Sequence, residues 1–155
     1  MAGSTATVGC AGSSLRHGGI VPVFHAELEV ATGGRSDLKE ITGRITDALT
    51  KCAIKEGTCL IYVPHTTAGI TINENADPDV KRDIAATLER LIPWRYDYTH
   101  IEGNSAAHIK ASLMGSSVSV PLRGGKLGLG TWQGIVLCEF DGPRRRRVLI
   151  TVLGD

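Results

Sequence analysis

Thr58–Val80, TCLIYVPHTTAGITINENADPDV, carries two strand signals in succession and then a helix start. Thr58 to Val63 is a β-branched and apolar run that Pro64 terminates, and Gly69 to Asn73 is a second such run. Branched and aromatic side chains suit a pleated, half-buried surface, whereas proline cannot donate to a ladder. Two strands therefore follow each other with only Pro64 and His65-Thr66-Thr67-Ala68 between them. A helix begins only afterwards. Asp77 can accept from its free amides, Pro78 suits the first helical position, and Asp79 favours the positive end of the dipole. Val80, Ile84, Leu88 and Leu91 or Ile92 supply its buried stripe, and Pro93 stops it.

Upstream, Phe24 to Val30 alternates apolar and polar residues and predicts a half-buried strand with His25 on the other side. Asp37 as a cap, Glu40 three residues on, and the stripe Leu38, Ile41, Ile45, Leu49 and Cys52 predict a long helix ended by Gly57. Downstream, Trp94 to Gly103 reads as a loop. Ser105 to Met114 reads as a short helix carrying His108, with Asn104 as cap and Gly115 as stop. Three strands close the chain, at Ser117 to Leu122, Gly130 to Phe140 and Arg147 to Leu153. The Gly-rich stretch Gly124 to Gly130 and the turn Asp141-Gly142-Pro143 separate them. This order lacks the strict βα alternation of a doubly wound sheet and predicts an α+β fold with a largely antiparallel sheet, two longer helices and one short one.

With 155 residues, 42% of them hydrophobic, the chain is the size of one domain, expected over residues 20–155. The first nineteen residues, small, polar and free of acidic groups, are expected to be a disordered tail. Seventeen Lys and Arg against sixteen Asp and Glu leave no large field to hold nucleic acid or a membrane surface, so any anion site must be local. No run approaches the roughly 18 apolar residues of a membrane span. Cys10, Cys52, Cys59 and Cys138 form no CxxC pair and read as thiols of a reducing compartment, which makes the cytoplasm the expected location.

His65, Thr66, Thr67, Asn73, Glu74, Asn75 and Asp77 fall within thirteen residues flanking one strand. The Asn73 and Asn75 amides share a face, and could bind a polar ligand or fix a loop. His65, at a strand end with its orientation set by a neighbouring carbonyl or hydroxyl, suits a metal ligand or proton carrier. His100 precedes Glu102, and His108 follows on the short helix. The spacing is not that of a one-face pair, so structural imidazoles and a metal site both stand. If the three converge, they leave a coordination position open, with Glu74 or Glu102 as supporting partner or general base.

GKLGLGTWQGI lacks the strand-then-helix setting of a dinucleotide site. It reads as a Gly-rich hairpin in which Trp132 walls a pocket or fills core. FDGPRRRRV places Arg144 and Arg146 on one strand face and Arg145 and Arg147 on the other, part of the run solvated or paired with Glu139 and Asp141, with one face available for a phosphate-bearing ligand or an adjacent subunit. Near-zero net charge and the lack of interleaved aromatics disfavour nucleic acid.

HTTAGITINENADPD, HIEGNSAAHIKASLMG and GTWQGIVLCEFDGPRRRRVLITVLG, in this order, resemble the motif series of the YjbQ family, also called the secondary thiamine-phosphate synthase family. The resemblance runs from about Phe24 to the C-terminus. It implies a mixed, barrel-like sheet, a homotrimer and a histidine-rich polar site. Carried onto this sequence it marks His65, Asn73, Glu74, Asn75 and Asp77, then His100, Glu102, Asn104 and His108, then Trp132, Gln133, Glu139 and Arg144. Thr99 departs from the family pattern, where a basic residue is more usual. The implied activity joins a pyrimidine-methyl diphosphate to a thiazole phosphate with loss of pyrophosphate.

The resulting expectation is a trimeric metal-dependent enzyme acting on a small phosphorylated molecule. His65, His100 and His108 would hold a divalent metal, zinc or magnesium. Glu74, Glu102, Asn73 and Asn75 would be catalytic, and Thr66, Thr67, Asn104, Trp132, Gln133 and Arg144 would bind substrate. The rival expectation is a non-catalytic trimeric module that binds a small anionic metabolite or a protein partner, with a structural His cluster.

Overall fold

A computed structural model describes residues 21–155; the expected tail lies outside the described residues. The elements run β1 (Val23–Ala31), β2 (Asp37–Glu40), α1 (Thr42–Leu49), β3 (Gly57–Tyr62), β4 (Ala68–Glu74), α2 (Pro78–Leu91), α3 (Ser105–Met114), β5 (Ser117–Arg123), β6 (Lys126–Leu127), β7 (Gln133–Glu139) and β8 (Arg145–Gly154). They form a five-stranded sheet, β1-β8-β3-β5-β6, and a three-stranded sheet, β2-β7-β4. Every pairing is antiparallel, and the strands curl into a half-barrel, as expected of an α+β chain without βα alternation.

The inner faces of both sheets and α1 close over one apolar cluster that includes Val30, Ile45, Leu49, Cys59, Ile61, Ile70, Ile135, Leu137, Val148 and Ile150. A second cluster, Val136, Cys138 and Phe140 with Ala107 and Ala111 of α3, lies on the other side of the small sheet. β7 is thus buried on both faces, which is why it reads as a continuous apolar run rather than an alternation. Gly69 lets α3 lie close to β4. A Cβ there would stand 2.8 Å from the Gly115 carbonyl oxygen and 2.8 Å from Met114 Cβ.

The helix expected from Asp37 is overturned. Asp37–Glu40 is strand β2, with Leu38 opposite Cys138 of β7 and packed on the second cluster. The edge of β7 supplied ladder partners, and tertiary pairing outweighed local helix signals. Asp37 accepts the Gly33 amide instead of capping, and Glu40 accepts the Thr42 amide at the true start of α1. α1 therefore has 8 residues, fewer than the 10 of α3, and Gly57 opens β3 rather than closing a helix.

α2 starts as expected, with Asp77 Oδ1 accepting the Asp79 N–H at 2.9 Å and Pro78 in the first turn. Its stripe is not buried: no α2 residue is fully covered, and Leu91 is 68% exposed. The reason is that α3 occupies the face of the small sheet. α2 joins the rest through Leu88 at the second cluster and through Glu89, which pairs with the buried Lys110 of α3.

Candidate functional site

The β3–β8 ladder ends at Tyr62 opposite Leu149, and Pro64 then turns the chain away. The Arg147 amide, further along β8, has no β3 carbonyl to meet. His65 supplies the acceptor: the Arg147 N–H donates to His65 Nε2 at 2.9 Å. The orientation was expected to come from a carbonyl or hydroxyl; a backbone donor sets it instead. Burial first and the Arg146 charge next push this imidazole below its ordinary pKa of 6.5; Glu139 opposes the fall and Arg147 adds to it.

Beneath His65 lies a buried network: the expected pairing of the arginine run with Glu139 falls to Arg146, and its burial and its link to Thr67 are what the sequence did not reveal. Arg146 is 5% exposed and Glu139 fully buried. Arg146 Nε donates to Glu139 Oε2 at 2.7 Å, and Arg146 Nη2 donates to Glu139 Oε1 at 2.5 Å and to Thr67 Oγ1 at 2.8 Å. Glu139 also accepts the Phe140 and Asp141 amides and the Thr32 hydroxyl. Burial alone would raise its carboxyl, but the Arg146 guanidinium, the Asp141 amide and the Thr32 hydroxyl together hold it below its ordinary value of 4.5. A signal was available: Arg146 is in phase with the inward residues Val148, Ile150 and Val152.

His65 opens on a cleft of about 500 Å³ lined by Thr66, Ala68, His108, Ala111, Ser112, Gly115 and Ser116. His108 also borders a neighbouring hollow of about 470 Å³ with Tyr98, Thr99, His100, Ser105 and Ile109. The His100 and His108 rings meet edge to face, 5.2 Å between centroids. Glu102 is exposed, with Oε2 3.8 Å from His100 Nε2. A larger hollow of about 630 Å³ lies between β1 and α1 with charges of both signs; Glu27 on its rim is already taken by Arg147.

The remaining expected residues stand apart from this cleft. Asn73, Glu74 and Asn75 are at the far end of β4 from His65. Asn73 Oδ1 accepts the Glu74 amide, and Asn75 Oδ1 accepts Lys81 Nζ at 3.0 Å. Gln133 pairs across from Glu74, its Oε1 closing the turn to the Gly130 amide. Trp132 is 64% exposed and fills no core. These residues fix loops at that end. Asn104 precedes α3 without capping it through its side chain; its Nδ2 reaches Asp141 Oδ2 at 3.3 Å. Arg144 is committed to the same Asp141, through its Nη2 to Oδ2 at 2.8 Å.

Among the described residues no group of three or more His, Cys, Asp or Glu side chains is disposed to hold a metal ion. His65 Nε2 is closed by the Arg147 amide, and only His100 and His108 have been brought ring to ring. The three imidazoles of one chain do not fit the metal centre expected of them.

The family described as UPF0047 protein YjbQ-like matches residues 26–155. The chain belongs to the YjbQ/UPF0047 family. Within it, the chain is 54% identical over 127 residues to a UPF0047 protein of Methanocaldococcus jannaschii, covering 82% of this chain and 92% of that one. It is 49% identical to YugU of Bacillus subtilis, over 82% of this chain and 97% of YugU. Its structure is similar to that of a YjbQ/UPF0047 protein from Clostridium acetobutylicum, at a TM-score of 0.80 and 50% identity over 82% and 98% of the two chains. It is also similar to a protein of unknown function from Sulfolobus solfataricus, at a TM-score of 0.83 and 34% identity over 88% and 100%. YjbQ/UPF0047 membership thus accounts for the fold, and the chemistry must be argued from this chain's own residues.

Proposed function

We propose that the chain is an enzyme that takes a small phosphorylated molecule in the cleft between His65 and α3. The observation that carries this reading is the character of the lining. His65, His108, Thr66, Ser112 and Ser116 border the cleft and no carboxylate does. Imidazole N–H and hydroxyl donors suit phosphate oxygens, and a hollow of this size is in the range of small-molecule sites. The reaction implied by the resemblance fits such a lining. The carbon–oxygen bond to the diphosphate breaks, its electron pair leaves with pyrophosphate, and the thiazole nitrogen forms the new carbon–nitrogen bond. No proton need move, so the protein's task is to hold the departing anion.

A homotrimer and a cytosolic setting belong to the same proposal. The half-buried α2 stripe and the outer face of the large sheet, where Val23, Tyr62 and Leu153 are 49%, 41% and 46% exposed, offer surface for assembly. Among the described residues the free thiols Cys52, Cys59 and Cys138 are buried; burial pushes Cys59 up to about 11 and Cys138 up to about 12, which suits a reducing compartment.

The test is pyrophosphate release from the two thiamine precursors, together with calorimetric binding of inorganic phosphate and pyrophosphate, in the parent chain and in His108→Ala. Removing one hydrogen bond to a charged group should weaken pyrophosphate binding about 10- to 100-fold. Equal binding by both proteins would remove the cleft from the proposal. A second reading, the non-catalytic module, has one observation in its favour: His65 already serves the fold by capping the Arg147 amide. Binding of both anions with no turnover of either precursor would support it.

A further inference from the structure

We infer that His65 presents an Nδ1–H, and not a lone pair, to the cleft, and that the buried Arg146–Glu139 pair is the positioning device that holds it in this state. The inference deepens the reading of the cleft as an anion site, and rests on it only for what the Nδ1–H meets. An amide can donate only to a nitrogen with a free lone pair. The Arg147 N–H on His65 Nε2 therefore fixes the proton on Nδ1, and it opposes the imidazolium, which would set one N–H against another. Nδ1 itself faces solvent: Asn104 Oδ1 is the sole buried side-chain nitrogen or oxygen without a partner among the described residues.

The clamp is geometric. Arg147, the donor, follows Arg146 directly, and His65 precedes Thr67 by two residues. The Arg146 guanidinium bonds both Glu139 oxygens through Nε and Nη2, and the same Nη2 donates to Thr67 Oγ1. The backbone carrying the imidazole and the backbone carrying its donor are thereby tied to one rigid, buried group. The charged or titratable groups around the ring are Arg146 and Arg147 of β8, Glu139 of β7 and His108 of α3. The ligand atom that His65 meets is thus an acceptor, such as a phosphate oxygen. A metal ion would find Nε2 closed and Nδ1 occupied by a proton.

Long-range nitrogen–proton spectra of the isotopically labelled full chain, without ligand and at neutral pH, decide the matter. A protonated Nδ1 with a bare Nε2 at His65 is expected; the reverse tautomer, or an even mixture, overturns the inference. In Arg146→Lys, which cannot span Glu139 and Thr67 together, the single tautomer should give way to a mixture. An unchanged His65 spectrum in a folded Arg146→Lys chain removes the positioning role. Added inorganic phosphate should shift the Nδ1 proton. If the tautomer is as expected and phosphate leaves that signal in place, the inference stands and the anion reading of the cleft fails.

Discussion

Nε2 of His65 lies 2.9 Å from the Arg147 amide nitrogen, where the next strand carbonyl of β3 would have stood had Pro64 not turned the chain away. A side chain completes a backbone ladder, and the same side chain borders the candidate site. Replacing it therefore alters the fold and the chemistry together. His65→Ala should destabilise by about 1–3 kcal/mol through the orphaned amide, whereas His65→Gln, with a side-chain oxygen of similar reach, should recover part of that loss. Urea unfolding of the three proteins measures the difference, and equal midpoints for the Ala and Gln variants would contradict it.

The four arginines of the C-terminal run should differ sharply in worth. Removing the carboxylate beneath Arg146, as in Glu139→Ala, leaves a buried guanidinium without its partner and should cost about 3–5 kcal/mol. Arg145, whose side chain is 77% exposed and pairs with that of Glu29, should cost under about 1 kcal/mol on substitution by Ala. Comparable losses in the two variants would show that burial does not set the ranking.

Acid should act in two stages. His65 has a lowered pKa in the fold, so the unfolded chain takes up its proton first. The stability it contributes is complete above about 6.5 and declines as the pH falls through its folded value. Glu139, also lowered, adds stability that is complete above about 4.5 and is lost on further acidification. Thermal unfolding from pH 8 downward should show a shallow decline and then a steep one. In Glu139→Gln the steep stage should shrink, and its survival at full size would assign it to other carboxylates.

Gly69→Ala should cost about 1–3 kcal/mol by overpacking, since the added methyl meets the Gly115 carbonyl, a backbone atom that cannot swing aside. Gly115 also lines the His65 cleft, so phosphate affinity should fall along with the melting temperature. A variant that melts lower yet binds phosphate like the parent would separate the helix packing from the cleft.

The end of β3 and the start of α2 were legible because their signals are local. Pro64 ends β3, and Asp77, Pro78 and Asp79 act within one turn. Asp37–Glu40 was misread because its partner strand lies about a hundred residues away, and no window around Leu38 contains Cys138. The site divided in the same manner. His65 and His108 were found as residue types near strand and helix ends, and they do share a cleft. Pairing of the arginine run with Glu139 was legible from their nearness in the sequence, but that Arg146 is the partner and that the pair lies in the interior is visible only once two strands have been brought together. His100 lies beside His108 and Glu102, yet the loop between α2 and α3 hid how far it stands from a three-ligand arrangement.

Strand β4 also acts as a ruler. Its seven residues, at about 3.3 Å each, hold the two polar ends of HTTAGITINENADPD roughly 23 Å apart. Letters that adjoin in the sequence thus serve two neighbourhoods too distant for one small molecule to bridge. Any reaction that used His65 and Glu74 at once would require two chains, and mixing separately inactivated His65 and Glu74 variants would then restore activity that neither has alone.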